Sequence, residues 1–438
     1  MGVLRPAGVP PLERGPGAFD QGSPVIGALL ALFTCAIFVS TAATNVLAGV
    51  LSLAALYAWA RYRPFGLLRH PVCVAVFAFY AWLLLREAIS TRPPADVLKA
   101  LDQFRTLAFV VLWAPLFAAP RHRRAVVAAA AAGLLLFIVI ALAGWLTLGH
   151  LFYPTQIGSY KLHLPPGLHQ FVYHFFLRAP DLAGPVFVAA TFAAFELAWQ
   201  DRRRRGWYLA VAVAATAVLF LATARRTSQV AFVLCGLMYL LLHLKLLSLR
   251  RRLLLAGASV ATVLALLATP AVQDSAGRVF RDVREFTSMP VERRGEVQTS
   301  GALRLRFWDV ALEVVRESPW IGTGESAYRE RFVAHDNALG GTRLQKEHGH
   351  PHNEYLHLLG SLGVVGLTLY LAVHAAAVRS GKAQPSREQR HILGYYLIAA
   401  LSSAVVNSLT IDMVPGHFHA LALLVLAFFP WDEPRGAG

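Results

Sequence analysis

The sequence predicts an all-α, polytopic integral membrane protein of about twelve transmembrane helices, with one large outer loop that contains short helices. Three observations carry this expectation. Of the 438 residues, 56% are hydrophobic and only 15% are charged, where an ordinary soluble domain carries about 25% charged residues. Mean hydropathy is +0.51. Basic residues also come in short clusters between apolar runs rather than along one face, so the net charge of +16 reads as membrane anchoring and not as a nucleic-acid surface.

Taken in order, residues 1–24 are rich in Pro and Gly and contain no apolar stretch, which predicts a flexible cytoplasmic tail without a cleavable signal peptide. The run starting near Val25 then serves as the targeting segment. A span needs about 20 mostly apolar residues. Candidates lie near 25–41, 43–60, 71–86, 104–119, 125–148, 182–199, 207–223, 228–247 and 253–271, so the first nine spans occupy 25–271. Three more lie near 353–377, 392–409 and 417–431, within 352–431, and 432–438 forms a second tail.

Charge sets the orientation. Arg61, Arg63 and Arg69 follow the second span, Arg121, Arg123 and Arg124 the fourth, and Arg202 to Arg205 the sixth. Arg250 to Arg252 follow the eighth, and Arg379, Lys382, Arg387 and Arg390 the tenth. Every even-numbered exit is basic, which predicts that those loops and both termini are cytoplasmic. The remaining loops face outward, and the longest, 272–351, balances 12 Lys/Arg against 12 Asp/Glu. The outer segment 149–181 is aromatic, with Phe152, Tyr153, Tyr160, Phe171, Tyr173, Phe175 and Phe176 around Pro165-Pro166-Gly167. It suits either an interfacial anchor or a lid over a lipid entrance. Cys35, Cys73 and Cys235 each lie in an apolar run, where a thiol acts as a small hydrophobe rather than a disulfide or zinc ligand. Span middles nearly free of ionisable residues disfavour a transporter or channel.

Polar chemistry gathers instead in three segments. The first is the tight turn Leu221-Ala-Thr-Ala-Arg-Arg-Thr-Ser228. Its Arg225 and Arg226 suit snorkelling to lipid headgroups, common for arginines at span ends, or bidentate binding of phosphate oxygens. The second starts at Ser300, a plausible cap, and runs to Glu317; Phe307, Trp308, Ala311, Leu312, Val314 and Val315 recur at helical spacing. Arg304 shares the inward-leaning face with Trp308, while Arg306 points elsewhere. A packed arginine needs an anion, either Asp309, Glu313 or another loop carboxylate, or a substrate phosphate. The third is Glu347-His-Gly-His-Pro-His-Asn-Glu-Tyr355. His348, His350 and His352 match no usual zinc spacing, so no metal is expected there. Pro351 suits a first helical turn, with His352 in that turn as either a general base or a hydrogen-bonded helix-start histidine.

Together these segments resemble the O-antigen ligase and polymerase superfamily of bacterial envelope proteins. Arg226-Thr227 is similar to the family's Thr/Ser-Arg turn, with Arg225 one residue away. An Arg-x-x-x-Trp helix follows in the large loop, Pro319-Trp-Ile-Gly-Thr-Gly324 resembles its Pro-x-x-Gly-x-Gly turn, and His352-Asn353 is followed by Gly363 and Gly366 in the ligase spacing. This motif-level likeness covers roughly 220–370. It implies metal-independent, cofactor-free, inverting glycosyl transfer at the periplasmic face of the bacterial inner membrane. The donor would be O-antigen on undecaprenyl pyrophosphate and the acceptor a sugar hydroxyl of lipid A-core, with membrane lipids as further partners and no nucleic acid. In that frame Arg225, Arg226, Arg304 and Arg306 hold pyrophosphate, Arg304 and His352 are catalytic, and His350, Asn353 and Glu354 support His352. An O-antigen polymerase, a protein O-oligosaccharyltransferase and, from another class, a lipid-linked-glycan transporter are the alternatives.

Overall fold

The computed structural model describes residues 23–90, 92–148, 180–223, 226–244, 248–250, 257, 270–290, 293–294, 299–338 and 349–431. These are 85% helical with no strand among the described residues. The aromatic segment 149–181, apart from the start of its following helix, and most of the expected ninth span 253–271 lie outside them.

The apolar runs become α1 (Pro24–Val39), α2 (Thr41–Tyr62), α3 (Pro71–Ile89), α4 (Pro94–Gln103), α5 (Arg105–Leu112) and α6 (Pro120–Leu148). They continue as α7 (Pro180–Gln200), α8 (Arg205–Ala217, extended by a π-turn to Thr223) and α9 (Arg226–Leu244). The long loop contributes α10 (Pro270–Ser288), α11 (Ser300–Glu317) and α12 (Glu325–Ala338). The chain closes with α13 (Glu354–Lys382), α14 (Arg387–Ser403) and α15 (Met413–Leu423, extended to Phe428). Among the described residues four helices are long and apolar enough to cross a membrane, Thr41–Tyr62, Pro71–Ile89, Pro120–Val139 and Glu354–Lys382, and shorter apolar helices accompany them. The chain is a polytopic membrane protein.

The expected fourth span, 104–119, is not one helix. It is the short α5 followed by a 3-10 turn, Ala114–Phe117. The break from α4 falls at Phe104, whose carbonyl accepts the Tyr80 hydroxyl at 2.6 Å. Pro115 in the following turn cannot donate to a continuing helix. The basic cluster beyond it does more than anchor: Arg123 is buried and donates to the carbonyls of Phe117, Ala118 and Pro430. It therefore ties the start of α6 to the end of α15.

The bundle interior holds more imidazole than the sequence reading allowed. His374 on α13 and His419 on α15 are both buried, with Nε2 atoms 3.1 Å apart. His374 Nδ1 meets the Tyr370 carbonyl at 2.9 Å, so it carries the proton there. His374 Nε2 then accepts from His419 Nε2–H, and His419 Nδ1 accepts the Tyr396 hydroxyl at 2.9 Å. Each ring has one N–H and every partner is matched, so the relay is satisfied while neutral.

In the loop, α11 packs on α10, α12 and α13. Its buried stripe is Phe307, Val310, Ala311 and Val314, closing on Tyr328 and Phe332 of α12. Leu312, expected in that stripe, is exposed at 41%. The cap is Thr299 rather than Ser300, its side chain accepting the Ala302 N–H at 3.4 Å. The arginine roles also change. Arg306, expected to point away, is 1% exposed and paired with Asp336, Nε to Oδ1 at 2.9 Å and Nη2 to the backbone oxygen at 3.0 Å.

Candidate functional site

The site is built where α13 starts. Asn353 is its N-cap: backbone φ −152° and ψ 109°, with the side chain accepting the Leu356 N–H at 3.0 Å. His352 therefore stands one residue before the cap, not in the first turn of the helix. Its φ is +48°, one of two positive-φ non-glycine residues among those described. Such a conformation is sparsely populated, though histidine tolerates it better than most residues. The His352 N–H donates to His350 Nδ1 at 3.3 Å and the two rings lie 4.2 Å apart. His350 thus supports the backbone at His352. His348 lies outside the described residues.

Glu354 does not orient His352. It is fully buried and held elsewhere, its carboxylate accepting the N–H groups of Leu409 (2.9 Å) and Thr410 (3.3 Å) and the Thr410 hydroxyl. Its own N–H donates to the Ala404 carbonyl at 2.9 Å. Glu354 locks the start of α13 to the segment after α14. One turn on, His357 Nε2 meets the Glu325 carboxylate at 2.8 Å, with the Tyr328 ring 4.4 Å away. Burial, and then the Glu325 charge, holds the Tyr328 hydroxyl well above the usual tyrosine range, so it stays protonated.

α11 brings Arg304 to this region. The Phe307 ring lies 6.0 Å from the His352 ring, and Arg304 is one turn away from Phe307 on the same side of the helix. Of the loop carboxylates considered for Arg304, Asp309 pairs with Arg294 at 2.9 Å and Glu313 with Arg316. Arg306 is committed to Asp336.

Of the remaining arginines, Arg226 opens α9. Arg225 and the side chain of Arg226 lie outside the described residues, but Arg226 is the first residue of α9. Helices α9 and α14 run antiparallel: His243 is level with His391, and Cys235 donates to the Tyr395 carbonyl at 3.3 Å. That register brings the start of α9 level with the end of α14. At that level Ser228 abuts Gly184, where a Cβ would sit 2.2 Å from the Ser228 Oγ. The adjacent Pro185 and Val186 line a narrow crevice with Ser403, Ala404 and Asn407. Ala404 and Asn407 are the residues whose carbonyls accept the Glu354 N–H. Arg226, Arg304 and His352 are thus carried to one end of the molecule.

The Pro319–Gly324 turn is structural. Thr323 and Gly324 donate to the carbonyls of Gly360 and Ser361, and Val364 donates back to Pro319. The reciprocal ladder requires the break in α13 at Gly363, with φ +70° and ψ −172°.

Sequence reasoning missed the clamp supplied by α3. Trp82 donates to the Leu362 carbonyl at 3.0 Å, and Arg86, buried, donates to the carbonyls of Ile321 and Gly322. Glu87, also buried, accepts the Glu325 N–H at 2.6 Å and the Ser326 hydroxyl. It caps the N-terminus of α12, where a carboxylate is favoured. Charged residues at the very end of an apolar run were the available signal. Glu87→Ala is expected to destabilise the protein by about 1–3 kcal/mol, read as a lower Tm in detergent; an unchanged Tm would remove Glu87 from the clamp.

Among known families, the O-antigen ligase model matches residues 209–371, from α8 through the first part of α13. The search of curated proteins found no match. The matched region contains the α9 start, the loop helices and the His352-Asn353 helix start, and it supports a membrane glycosyl-transferring enzyme of ligase or polymerase type. Over residues 209–371 the chain is thus similar to the O-antigen ligase and polymerase superfamily.

Proposed function

We propose that the protein is an O-antigen ligase of the bacterial inner membrane, with both termini cytoplasmic and its site facing the periplasm. The observation that supports this best is the meeting of the α11 helix carrying Arg304 with His352, Phe307 and His352 being 6.0 Å apart, at the end of the bundle where α9 begins. Its donor is O-antigen on undecaprenyl pyrophosphate and its acceptor a hydroxyl of lipid A-core. His352 takes the proton as the acceptor oxygen attacks the anomeric carbon. The bond from that carbon to the pyrophosphate oxygen breaks, and the configuration inverts. Arg226, with Arg225 beside it, and Arg304 stabilise the negative charge that grows on the departing pyrophosphate. Arg306 is left out of this set because Asp336 holds it, and it is assigned to the loop fold. Asn353 acts by capping α13 and Glu354 by fixing it, so both position His352 indirectly.

Expression in a ligase-null bacterium is expected to restore polymer on lipid A-core. Accumulation of polymer only on undecaprenyl pyrophosphate, with altered chain length, would instead identify a polymerase, and polymer on protein Ser or Thr an oligosaccharyltransferase. In the complementing strain, Arg226→Ala and Arg304→Ala are each expected to lower capping by roughly 10²–10³-fold, with membrane levels unchanged. Wild-type capping in both variants would sink the phosphate role.

A further inference from the structure

Three buried side chains from three helices meet at the other end of the bundle from His352. Glu196 lies in the last turns of α7, His243 in the last turn of α9 and His391 early in α14. Their side chains are 1%, 3% and 12% exposed. Along α9, His243 stands about 25 Å from Arg226 at the helical rise.

His243 Nε2 is 3.3 Å from one Glu196 oxygen and His391 Nδ1 is 3.0 Å from the other. One donor atom from each of the three residues lies within 4.8 Å of the other two. Zinc ligands at 2.0–2.2 Å in a tetrahedron stand about 3.4 Å apart, so closure from a separation of up to 4.8 Å asks for about 1.4 Å at most, shared between two side chains and within reach of small torsions.

Both histidines stand at ion-pair distance from the carboxylate, but not at the angles of a well-formed hydrogen bond. Glu196 Oε1, His243 Nε2 and His391 Nδ1 are all buried without a partner at acceptable angles. The contrast with His374 and His419 is direct, since there every ring nitrogen is matched. At His243, Nδ1 meets the Tyr239 carbonyl at 2.9 Å, which fixes the ring with Nε2 facing the carboxylate. An imidazole held by an N–H to a backbone carbonyl is the usual support of a metal-ligating histidine. The Tyr395 hydroxyl donates to Glu196 Oε2 at 3.2 Å and orients the carboxylate in the same way. Tyr239 stacks on the His243 ring with centroids 4.2 Å apart, limiting its rotation.

We propose that Glu196, His243 and His391 bind a divalent first-row transition cation, with zinc as the reference ion, that pins the ends of α7, α9 and α14 together. Two imidazoles with one carboxylate suit such ions better than calcium or magnesium. The site stands apart from the transfer chemistry and is independent of the function proposed above.

The test uses the full-length protein in detergent, equilibrated with zinc, freed of excess metal by gel filtration, and assayed by elemental analysis. Wild type is expected to retain one equivalent of zinc and to show the visible absorption of a low-symmetry site with cobalt(II). Glu196→Gln, His243→Ala and His391→Ala should each lose the bound ion. The double variant His350→Ala, His352→Asn should keep it, because those imidazoles lie at the opposite end. Zinc should also raise the Tm of wild type, a reading that needs no variant to fold. Absence of retained zinc and of the cobalt band in wild type overturns the proposal, as does loss of the ion from the 350/352 variant alone.

Discussion

His352→Asn is expected to reduce transfer of polymer to lipid A-core by about 10²–10⁴-fold, the usual contribution of a general base, while the protein inserts and purifies like wild type. Asparagine is the informative replacement. It adopts left-handed backbone readily, so it accepts the φ of +48° found at His352 and removes only the imidazole. Alanine would confound a lost base with a strained backbone. The measurement is turnover of purified enzyme with lipid-linked polysaccharide and lipid A-core, alongside size-exclusion behaviour and Tm. His350→Ala should be milder, because His350 touches the site through the His352 N–H at 3.3 Å. If His352→Asn transfers at the wild-type rate, the proton goes elsewhere and the proposed mechanism fails.

What the sequence made legible follows the range of the interaction. Apolar runs and basic exits are local signals, and they mark most helices of the bundle. The fourth expected span fails for a local reason the hydropathy window averages over, the break at Phe104 and Pro115. The His-Asn helix start was readable because an Asn cap acts three residues ahead; its exact phase was not, since proline at 351 marks a helix entrance without fixing its first residue. Arg306 was misassigned because its burial depends on Asp336, thirty residues on. Periodicity ranks faces by apolar content and cannot see a paired charge. Arg86 and Glu87 were invisible for the same reason, reaching partners 235 and 238 residues away. The glycines of the family spacing were recognised as a pattern, and only the fold gives them a physical cause.

That cause leads to the largest expected loss of stability. At Gly363 the backbone has φ +70° and ψ −172°, a region essentially reserved for glycine, where another residue costs roughly 1–3 kcal/mol. A Cβ there would also sit 2.3 Å from the Trp320 carbonyl oxygen and 2.4 Å from the Ile321 nitrogen. Neither atom can yield, since Trp320 and Ile321 belong to the turn laddered onto α13, and Arg86 grips the Ile321 carbonyl from α3. Gly322 faces the same junction from the other side, its Cβ position 2.3 Å from the Ser361 oxygen. Gly363→Ala is therefore expected to prevent accumulation of folded protein, or to leave an aggregated product with no cooperative melting. Gly49→Ala is the matched control, in the interior of α2 with nothing within 4 Å of its Cβ position; it should leave Tm unchanged or raised by the gain of about 0.5–1 kcal/mol typical of alanine over glycine in a helix. The same substitution is thus expected to be harmless in one span and ruinous in another, and the difference is where the loop that carries Arg304 is seated on the helix that His352 precedes. A monodisperse Gly363→Ala protein with wild-type Tm would mean that the break in α13 does not hold the loop in place.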